Sequence, residues 1–199
     1  MTPTRKTATQ RAWLVAKPAI MPAIAARFAA APRGPGFGRV LTAQAFSYGG
    51  DLALMSPRRE AFLAGTCSFL GAHIAYVSAF RRRSSVPLLA SRGRRRFLTG
   101  GAVLAGGMAV AAGREDRAMA LPVAAYGATL AAMVASAAAV DRDRGRTQIL
   151  VGASLFMLSD LLIGLGKFVL GDELAARDNA VMTTYVAAQW CISEGMTGP

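Results

Sequence analysis

Apolar runs alternate with short polar or basic segments along most of the chain. The clearest run extends from Gln148 to Leu170, and about 20 apolar residues are enough to span a bilayer as a helix. Six weaker or shorter runs follow the same pattern. The seven predicted segments are about 19–30, 38–55, 61–80, 97–113, 118–140, 148–170 and 179–196. The pattern therefore predicts an all-α, polytopic transmembrane helical bundle of about seven helices.

The composition supports a membrane protein. The chain is 53% hydrophobic and only 17% charged, whereas a soluble domain carries roughly 25% charged residues. Its 199 residues suit one compact bundle. We predict a polar, basic N-terminal tail over 1–16 and a single transmembrane domain over 17–199.

The net charge of +12 raises the possibility of nucleic-acid binding, but the placement of the charges argues against it. The arginines cluster at 81–83 and 92–96, between apolar runs, as cytoplasmic loops of membrane proteins do. Nucleic-acid binding would need a continuous basic face. Alternation of the segments then places the loops at 32–38 and 141–147 and the C-terminus in the cytoplasm. We expect a multi-pass protein of the cell membrane whose N-terminus lies outside, despite its basic residues.

Common catalytic and cofactor motifs are absent. The two cysteines, Cys67 and Cys191, lie inside apolar runs, so we predict buried small side chains rather than a disulfide or metal motif. The sequence has no H-E-x-x-H, no G-x-S-x-G and no phosphate-binding glycine loop. We expect no metal and no other cofactor.

Two aspartates stand out because they lie within apolar segments. A carboxyl group at mid-membrane costs a few kcal/mol to insert, so it normally faces the protein interior and serves a function. Asp160 lies at the centre of its segment, next to Ser159. Asp51 lies nearer the end of its own, on one helical face with Gln44 and Ser47. Their depths in the membrane must therefore be reconciled if they form one site.

Other polar side chains within the segments are further candidates, namely Lys17, His73, Tyr76, Tyr126, Ser159, Tyr185 and Gln189. Each has a structural alternative. Asp160 could bond to a neighbouring helix, Asp51 could be solvated at the interface, and His73 could be a satisfied core residue. The tyrosines could be interfacial aromatics, and Lys17 could extend to the membrane surface. Two carboxyl groups in different surroundings can act as one acid and one base.

Six short elements, in order, resemble the YhhN family of integral membrane proteins. They are Lys17-Pro18, Gly50-Asp51, the series Phe62, Gly65, Phe69, His73, Tyr76 and Phe80, then Leu121-Pro122 with Tyr126, Gly152-Ala153 with Phe156 and Ser159-Asp160, and Thr184-Tyr185 with Gln189. No single element is specific to the family, but the order and the separations of the six elements together give a strong signal. Family members usually carry about eight helices, with one before the Lys-Pro element. We expect that this first helix has been lost or that the recorded start is too late.

The resemblance implies hydrolysis of the vinyl ether bond of lysoplasmalogens, giving a fatty aldehyde and glycerophosphoethanolamine or glycerophosphocholine. An acid must protonate the alkene and a base must deliver water, which two carboxyl groups can do. Our hypothesis assigns this pair to Asp51 and Asp160, supported by His73, Tyr185 and Gln189. Lys17 would contact the substrate phosphate.

The expected partners are a lysolipid substrate within the bilayer and the membrane lipids themselves. Two alternatives stay open from the residues alone. The buried polar face would also suit a non-enzymatic membrane transporter or a lipid-binding protein, although transporters often show internal repeats and none is clear here. The second alternative is a structural or assembly subunit.

Overall fold

The computed structural model describes residues 8–56, 58–87, 89–90, 92–170 and 175–198. In this part of the chain, seven α-helices follow one another without a strand, which confirms the predicted all-α bundle. They are α1 (Ala8–Ala29), α2 (Phe37–Ala53), α3 (Arg59–Arg81), α4 (Arg92–Glu115), α5 (Arg117–Ala139), α6 (Arg146–Leu165) and α7 (Ala175–Gly195). A π-helical turn, Gly166–Leu170, extends α6. Because α1 begins at Ala8, it includes part of the segment predicted as a tail, and the division of the chain at residue 17 stays a prediction.

Four helical stretches in the described residues are long and apolar enough to cross a membrane. They are Arg59–Arg81, Arg94–Glu115, Arg117–Ala139 and Arg146–Val169. The apolar part of α1, Pro18–Ala29, is shorter. The chain is therefore built as a multi-pass membrane protein, with α3, α4, α5 and α6 as its principal spans.

Neighbouring helices pack in antiparallel pairs, α2 with α3, α4 with α5 and α6 with α7. Helix α5 also contacts α3 and α6, and α1 packs against α2 and α7. The predicted stripe of α3 faces this interior, because all of its members are buried: Gly65, Phe69, His73, Tyr76 and Phe80. The 4-4-3-4 spacing of the sequence thus identified the inward face of this helix.

The cysteines correct one sequence prediction. Cys67 is exposed and Cys191 is only half-buried, whereas both were predicted to be buried. In a bilayer the lipid chains are as apolar as a protein core, so an apolar run does not distinguish lipid-facing from interior positions. Leu121 and Val103, on two of the principal spans, are likewise exposed.

Arg83 joins several segments at one end of the bundle. It follows α3, is 1% exposed, and donates hydrogen bonds to five backbone carbonyls. These belong to Pro35, Arg144, Gly195, Met196 and Gly198, at 2.6 to 3.3 Å. Burial, and next the nearby charge of Arg144, lowers the pKa of the Arg83 guanidinium.

This Arg83 clasp, the guanidinium and its five carbonyls, fixes which loops share one end of the bundle. The turn before α2, the turn before α6 and the residues after α7 all meet at Arg83. Alternation of the predicted segments gave the same grouping. Which membrane face this end occupies stays a prediction.

Small residues allow α4 and α5 to approach closely. A Cβ atom added at Gly101 would lie 2.4 Å from the Cβ of Ala131, and one at Gly127 would lie 2.5 Å from the Cβ of Ala105. Gly100, the neighbour of Gly101, has no heavy atom within 4 Å of such a Cβ. Close contacts of this kind let helices pack in lipid.

We expect Gly101→Ala to lower the Tm of the purified protein and Gly100→Ala to leave it unchanged or raise it. At Gly101 the added methyl group forces the two helices apart, at a cost of about 1 to 3 kcal/mol. At Gly100 the methyl group meets open space, and alanine favours the helix over glycine by about 1 kcal/mol. Thermal unfolding in one detergent compares the two variants. Equal shifts in Tm would contradict the close α4–α5 contact.

Candidate active site

Asp160 lies on α6 in a mainly aromatic environment. The Tyr126 hydroxyl, on α5, donates a hydrogen bond to its Oδ2 atom at 2.7 Å. The Nε2 atom of His73, on α3, lies 3.5 Å from the same oxygen. The carboxyl side chain is 10% exposed, so three helices enclose it while leaving it an opening.

His73 is fully buried beside Asp160 and is held by ring contacts. Its ring lies edge-on to Tyr126 and Phe156, with centroids 4.9 and 5.0 Å away. Among the described residues, neither ring nitrogen of His73 has a hydrogen-bond partner. A buried polar group normally has one. The Nε2 atom thus lies beside the Asp160 carboxyl group without a complete hydrogen bond.

Asp51 lies on α2 and forms the second carboxyl centre. The Tyr185 hydroxyl, on α7, donates a hydrogen bond to its Oδ2 atom at 2.8 Å. The Phe156 ring contacts both centres, because its centroid lies 5.5 Å from that of Tyr185 and 5.0 Å from that of His73. Phe156 therefore lies between the two carboxyl centres.

The two aspartates lie at the same depth in the bundle. Asp51 is fourteen residues after Phe37, the first residue of α2, and Asp160 is fourteen residues after Arg146, the first residue of α6. Both helices begin at the clasp end and run in the same direction, so each aspartate lies about 21 Å along its helix. The sequence suggested unequal depths because the position of each aspartate was judged from the approximate ends of its predicted segment.

Glycines with positive φ angles precede α2 and α6 and fix where each helix begins. Gly36 precedes α2 with a φ of 89°, and Gly145 precedes α6 with a φ of 79°. Other residues rarely adopt such angles without strain. A Cβ at Gly145 would also lie 2.1 Å from the Gly195 carbonyl oxygen. The two turns are thus fixed closely against the clasp end.

A chain of hydrogen bonds continues from the Asp51 centre between α2, α3 and α7. Gln189 donates to Ser47 at 3.1 Å and accepts from the Tyr76 hydroxyl. One turn further, Gln44 donates to Ser193 at 2.9 Å. Tyr76 and Gln189, both predicted as supporting residues, therefore belong to this chain, and hydrogen bonds among the described residues join them to each other and to Ser47.

An open cleft reaches Asp160 from the side of the bundle. It lies between α3, α4, α5 and α6, and Asp160, Tyr126, Thr66 and Lys167 supply its polar side chains. The rest of its lining is mostly apolar, including Phe62, Phe69, Leu104, Met108, Val123, Leu130, Met157, Leu161, Ile163 and Phe168. Leu104 is 49% exposed on α4, so the cleft opens on the lipid-facing surface. Asp51 does not line it.

Two predicted residues lie apart from the carboxyl centres. Ser159 donates to the Val181 carbonyl at 3.1 Å and so joins α6 to α7. Lys17 belongs to α1, but its side chain lies outside the described residues. Sequence reasoning missed the central position of Phe156 and the presence of Lys167 in the cleft. The spacing of Lys167, seven residues after Asp160, was a signal that both share a helical face.

Comparisons with known proteins identify relatives over most of the chain. The sequence profile of the YhhN family matches residues 12–196. A lysoplasmalogenase of Mycobacterium bovis is 32% identical over 190 residues, which cover 90% of this chain and 69% of the relative. A lysoplasmalogenase of Mycobacterium tuberculosis matches to the same extent. No solved structure matches the chain significantly.

Proposed function

Because this chain belongs to the YhhN family, we propose that it is a membrane-embedded hydrolase that cleaves the vinyl ether bond of lysoplasmalogens. An ether-bond hydrolase is the enzyme class that the two relatives support. The single observation that carries the substrate proposal is the cleft, since its mostly apolar lining includes the Asp160 carboxyl group. The products are a fatty aldehyde and a glycerophospho-alcohol.

The cleft suits a lipid with one long chain. Its mostly apolar lining offers the alkenyl chain the same environment as the bilayer, and its opening beside Leu104 allows entry from the membrane. The chain then lies among α3, α4 and α5, with the vinyl ether against Asp160. Binding sites for apolar ligands commonly combine such a lining with a few placed polar groups.

The first step of the proposed reaction is transfer of a proton from Asp160 to carbon 2 of the alkenyl chain. The double bond supplies the electron pair for the new C–H bond, and the ether oxygen stabilises the resulting cation at carbon 1. Asp160 is the proton donor because it lines the cleft, whereas Asp51 does not. Tyr126 holds the carboxyl group in place through its hydrogen bond.

Water then adds to carbon 1 and loses a proton to the Asp160 carboxylate, which gives a hemiacetal. His73 helps to orient the receiving carboxylate, because its Nε2 atom lies 3.5 Å from Oδ2 of Asp160. The hemiacetal then collapses: its hydroxyl group loses a proton and becomes the aldehyde carbonyl, the bond from carbon 1 to the glycerol oxygen breaks, and that oxygen takes up the proton. One water molecule is consumed, and the carboxyl group returns to its starting state.

Asp51 acts as the second carboxyl group of the site, and the aromatic residues lie between it and the cleft. Its charge stabilises the cationic intermediate electrostatically, as fixed charges do in a water-poor site. Tyr185 positions it, and Gln189 and Tyr76 extend the hydrogen-bonded support. This division of roles resembles that of the two carboxyl groups beside an oxocarbenium-like state in glycosidases.

We expect hydrolysis in deuterium oxide to give an aldehyde with one deuterium at carbon 2, because the first step adds a solvent proton there. In water labelled with oxygen-18, the glycerophospho-alcohol is expected to stay unlabelled, since the bond broken lies on the alkenyl side of the ether oxygen. Mass spectrometry of purified protein with 1-alkenyl-glycerophosphocholine measures both. The aldehyde is reduced at once to prevent exchange.

A saturated 1-alkyl ether lysolipid is the matched control, because it fills the cleft but has no double bond to protonate. Turnover of the alkyl lipid, or label in the alcohol, would contradict the proposed chemistry. Binding or transbilayer movement of the alkenyl lipid without any aldehyde would instead support a lipid-binding protein or a transporter.

The Arg83 clasp end is placed in the cytoplasm in this proposal. The arginine clusters at 81–83 and 92–96 lie at that end, in agreement with the positive-inside rule. The C-terminus is then cytoplasmic, and the Asp160 cleft lies toward the opposite side of the membrane. Labelling of single cysteines placed at each end of the bundle, in intact cells, tests this orientation.

A further inference from the structure

Lys167 is a cation in the cleft that the proposed chemistry does not use. It lies on the π-helical turn Gly166–Leu170, is exposed, and lines the same cleft as Asp160. Its Nζ atom lies 4.2 Å from the ring centroid of Phe62, another lining residue. This cation–π contact holds the ammonium group near the mouth of the cleft.

The charge of Lys167 is available to an anion. Within the described part of the chain, no salt bridge joins Lys167 to a carboxylate. Arg59, at the same end of the bundle, differs in this respect, because it pairs with Asp116 at 2.5 Å. Among the described residues, the ammonium group of Lys167 therefore has no carboxylate partner in this largely apolar cleft, and an anionic ligand could supply its counter-ion.

The spacing of Lys167 and Asp160 fits the polar part of a lysophospholipid. Seven residues separate them on one helix, or about 10 Å along the axis. Five covalent bonds connect the sn-1 ether oxygen to the phosphorus atom, roughly 6 to 7 Å when extended. The flexible lysine side chain covers the difference. With the vinyl ether at Asp160, the phosphate thus lies within reach of the ammonium group.

We propose that Lys167 binds the headgroup phosphate of the substrate and thereby fixes which atoms of the lipid lie against Asp160. The inference rests on the proposed function and narrows its substrate class to single-chain vinyl ether lipids that carry a phosphate. Lys167 is a binding residue here and takes no part in proton transfer. The phosphates of surrounding bilayer lipids have the same chemistry, so the experiment must separate the two sources.

The test compares two substrates, 1-alkenyl-glycerophosphocholine and phosphate-free 1-alkenylglycerol, in micelles of an uncharged detergent without phosphate. Lys167→Gln is expected to raise KM for the phosphate-bearing lipid about tenfold, the scale of one charge-assisted hydrogen bond. Its kcat stays close to that of the wild type. Turnover of 1-alkenylglycerol is expected to be unchanged, and Lys167→Arg is expected to keep most of the phosphate preference.

Arg58→Gln is the matched control, because Arg58 is an exposed cation at the same end that does not line the cleft. It is expected to leave both substrates unaffected. Equal losses on both substrates with Lys167→Gln would show that Lys167 supports the fold or the cleft rather than a phosphate contact, and would overturn the inference. Unchanged kinetics on both would overturn it too. A wild-type protein that hydrolyses neither substrate would overturn the proposed function itself.

Discussion

Asp160→Asn is expected to lower kcat/KM for vinyl ether hydrolysis by a factor of about 10³ or more, within the range that general acid–base catalysis supplies. Asparagine has the same shape and can still accept the Tyr126 hydrogen bond, but it cannot donate an acidic proton to the alkene. The loss should therefore appear mainly in kcat. Mass spectrometry of aldehyde release measures it, and the Tm of the variant shows that the fold is kept.

Two further variants show whether that loss of activity is specific to Asp160. Asp51→Asn is expected to lower kcat by a smaller factor, on the order of 10 to 100, because Asp51 acts electrostatically from outside the cleft. Asp143→Asn, at an exposed carboxylate in the turn before α6, is the matched control and should keep full activity. Full turnover in both Asp160→Asn and Asp51→Asn would contradict the two-carboxyl mechanism.

Arg83→Met is expected to lower the free energy of unfolding by about 3 to 5 kcal/mol, among the largest losses for a single substitution. Methionine fills part of the space but donates no hydrogen bond, so the five carbonyls lose their shared donor. Buried acceptors without partners cost about 1 to 3 kcal/mol each, and those nearest the end of the bundle can turn to water. Thermal and denaturant unfolding in detergent measure the loss.

Arg82→Met provides the comparison for Arg83, since Arg82 is the exposed neighbour in the same turn and carries the same charge. Its effect on stability is expected to be small. Arg83→Lys should be intermediate, because an ammonium group cannot reach five carbonyls at once. Similar losses in the Arg82 and Arg83 variants would show that net charge, rather than the clasp, stabilises this end.

Much of the fold could be predicted because lipid imposes a simple rule on the sequence. Every backbone polar group in hydrocarbon must be satisfied internally, so apolar runs of sufficient length become helices. The start of α1 was not predicted, since residues 8–16 lack the sustained hydrophobicity that marked the other helices. The observed helix nevertheless begins at Ala8.

Within the site, periodicity predicted which residues face inward but not which ones meet. The inward faces of α2, α3 and α7 were evident from polar residues spaced three or four apart. The partners depend on how each helix is rotated against its neighbours, which no local spacing encodes. Tyr126 meets Asp160 across 34 residues, and Tyr185 meets Asp51 across 134.

Lys167 illustrates a different limit of the sequence. A lysine near the end of an apolar segment usually extends its charge to the membrane surface, and that interpretation needs no binding site. Only the cleft and the Phe62 contact show that its side chain lies in the cleft. The phosphate contact predicted from the sequence is Lys17, because it belongs to a recognisable sequence element, and that assignment stays a prediction.

The lateral opening of the cleft beside Leu104 has a consequence for how the enzyme meets its substrate. A lipid that enters from the side reaches the cleft by diffusion within the membrane plane. The surface mole fraction of the lipid in the bilayer or micelle, rather than its bulk concentration, therefore sets how fully the cleft is occupied. In the proposed reaction the products then separate, because the aldehyde partitions back into the membrane and the glycerophospho-alcohol dissolves in water. That separation draws hydrolysis forward without any further energy input. Kinetic constants for variants of this protein are therefore comparable only at matched interfacial dilution.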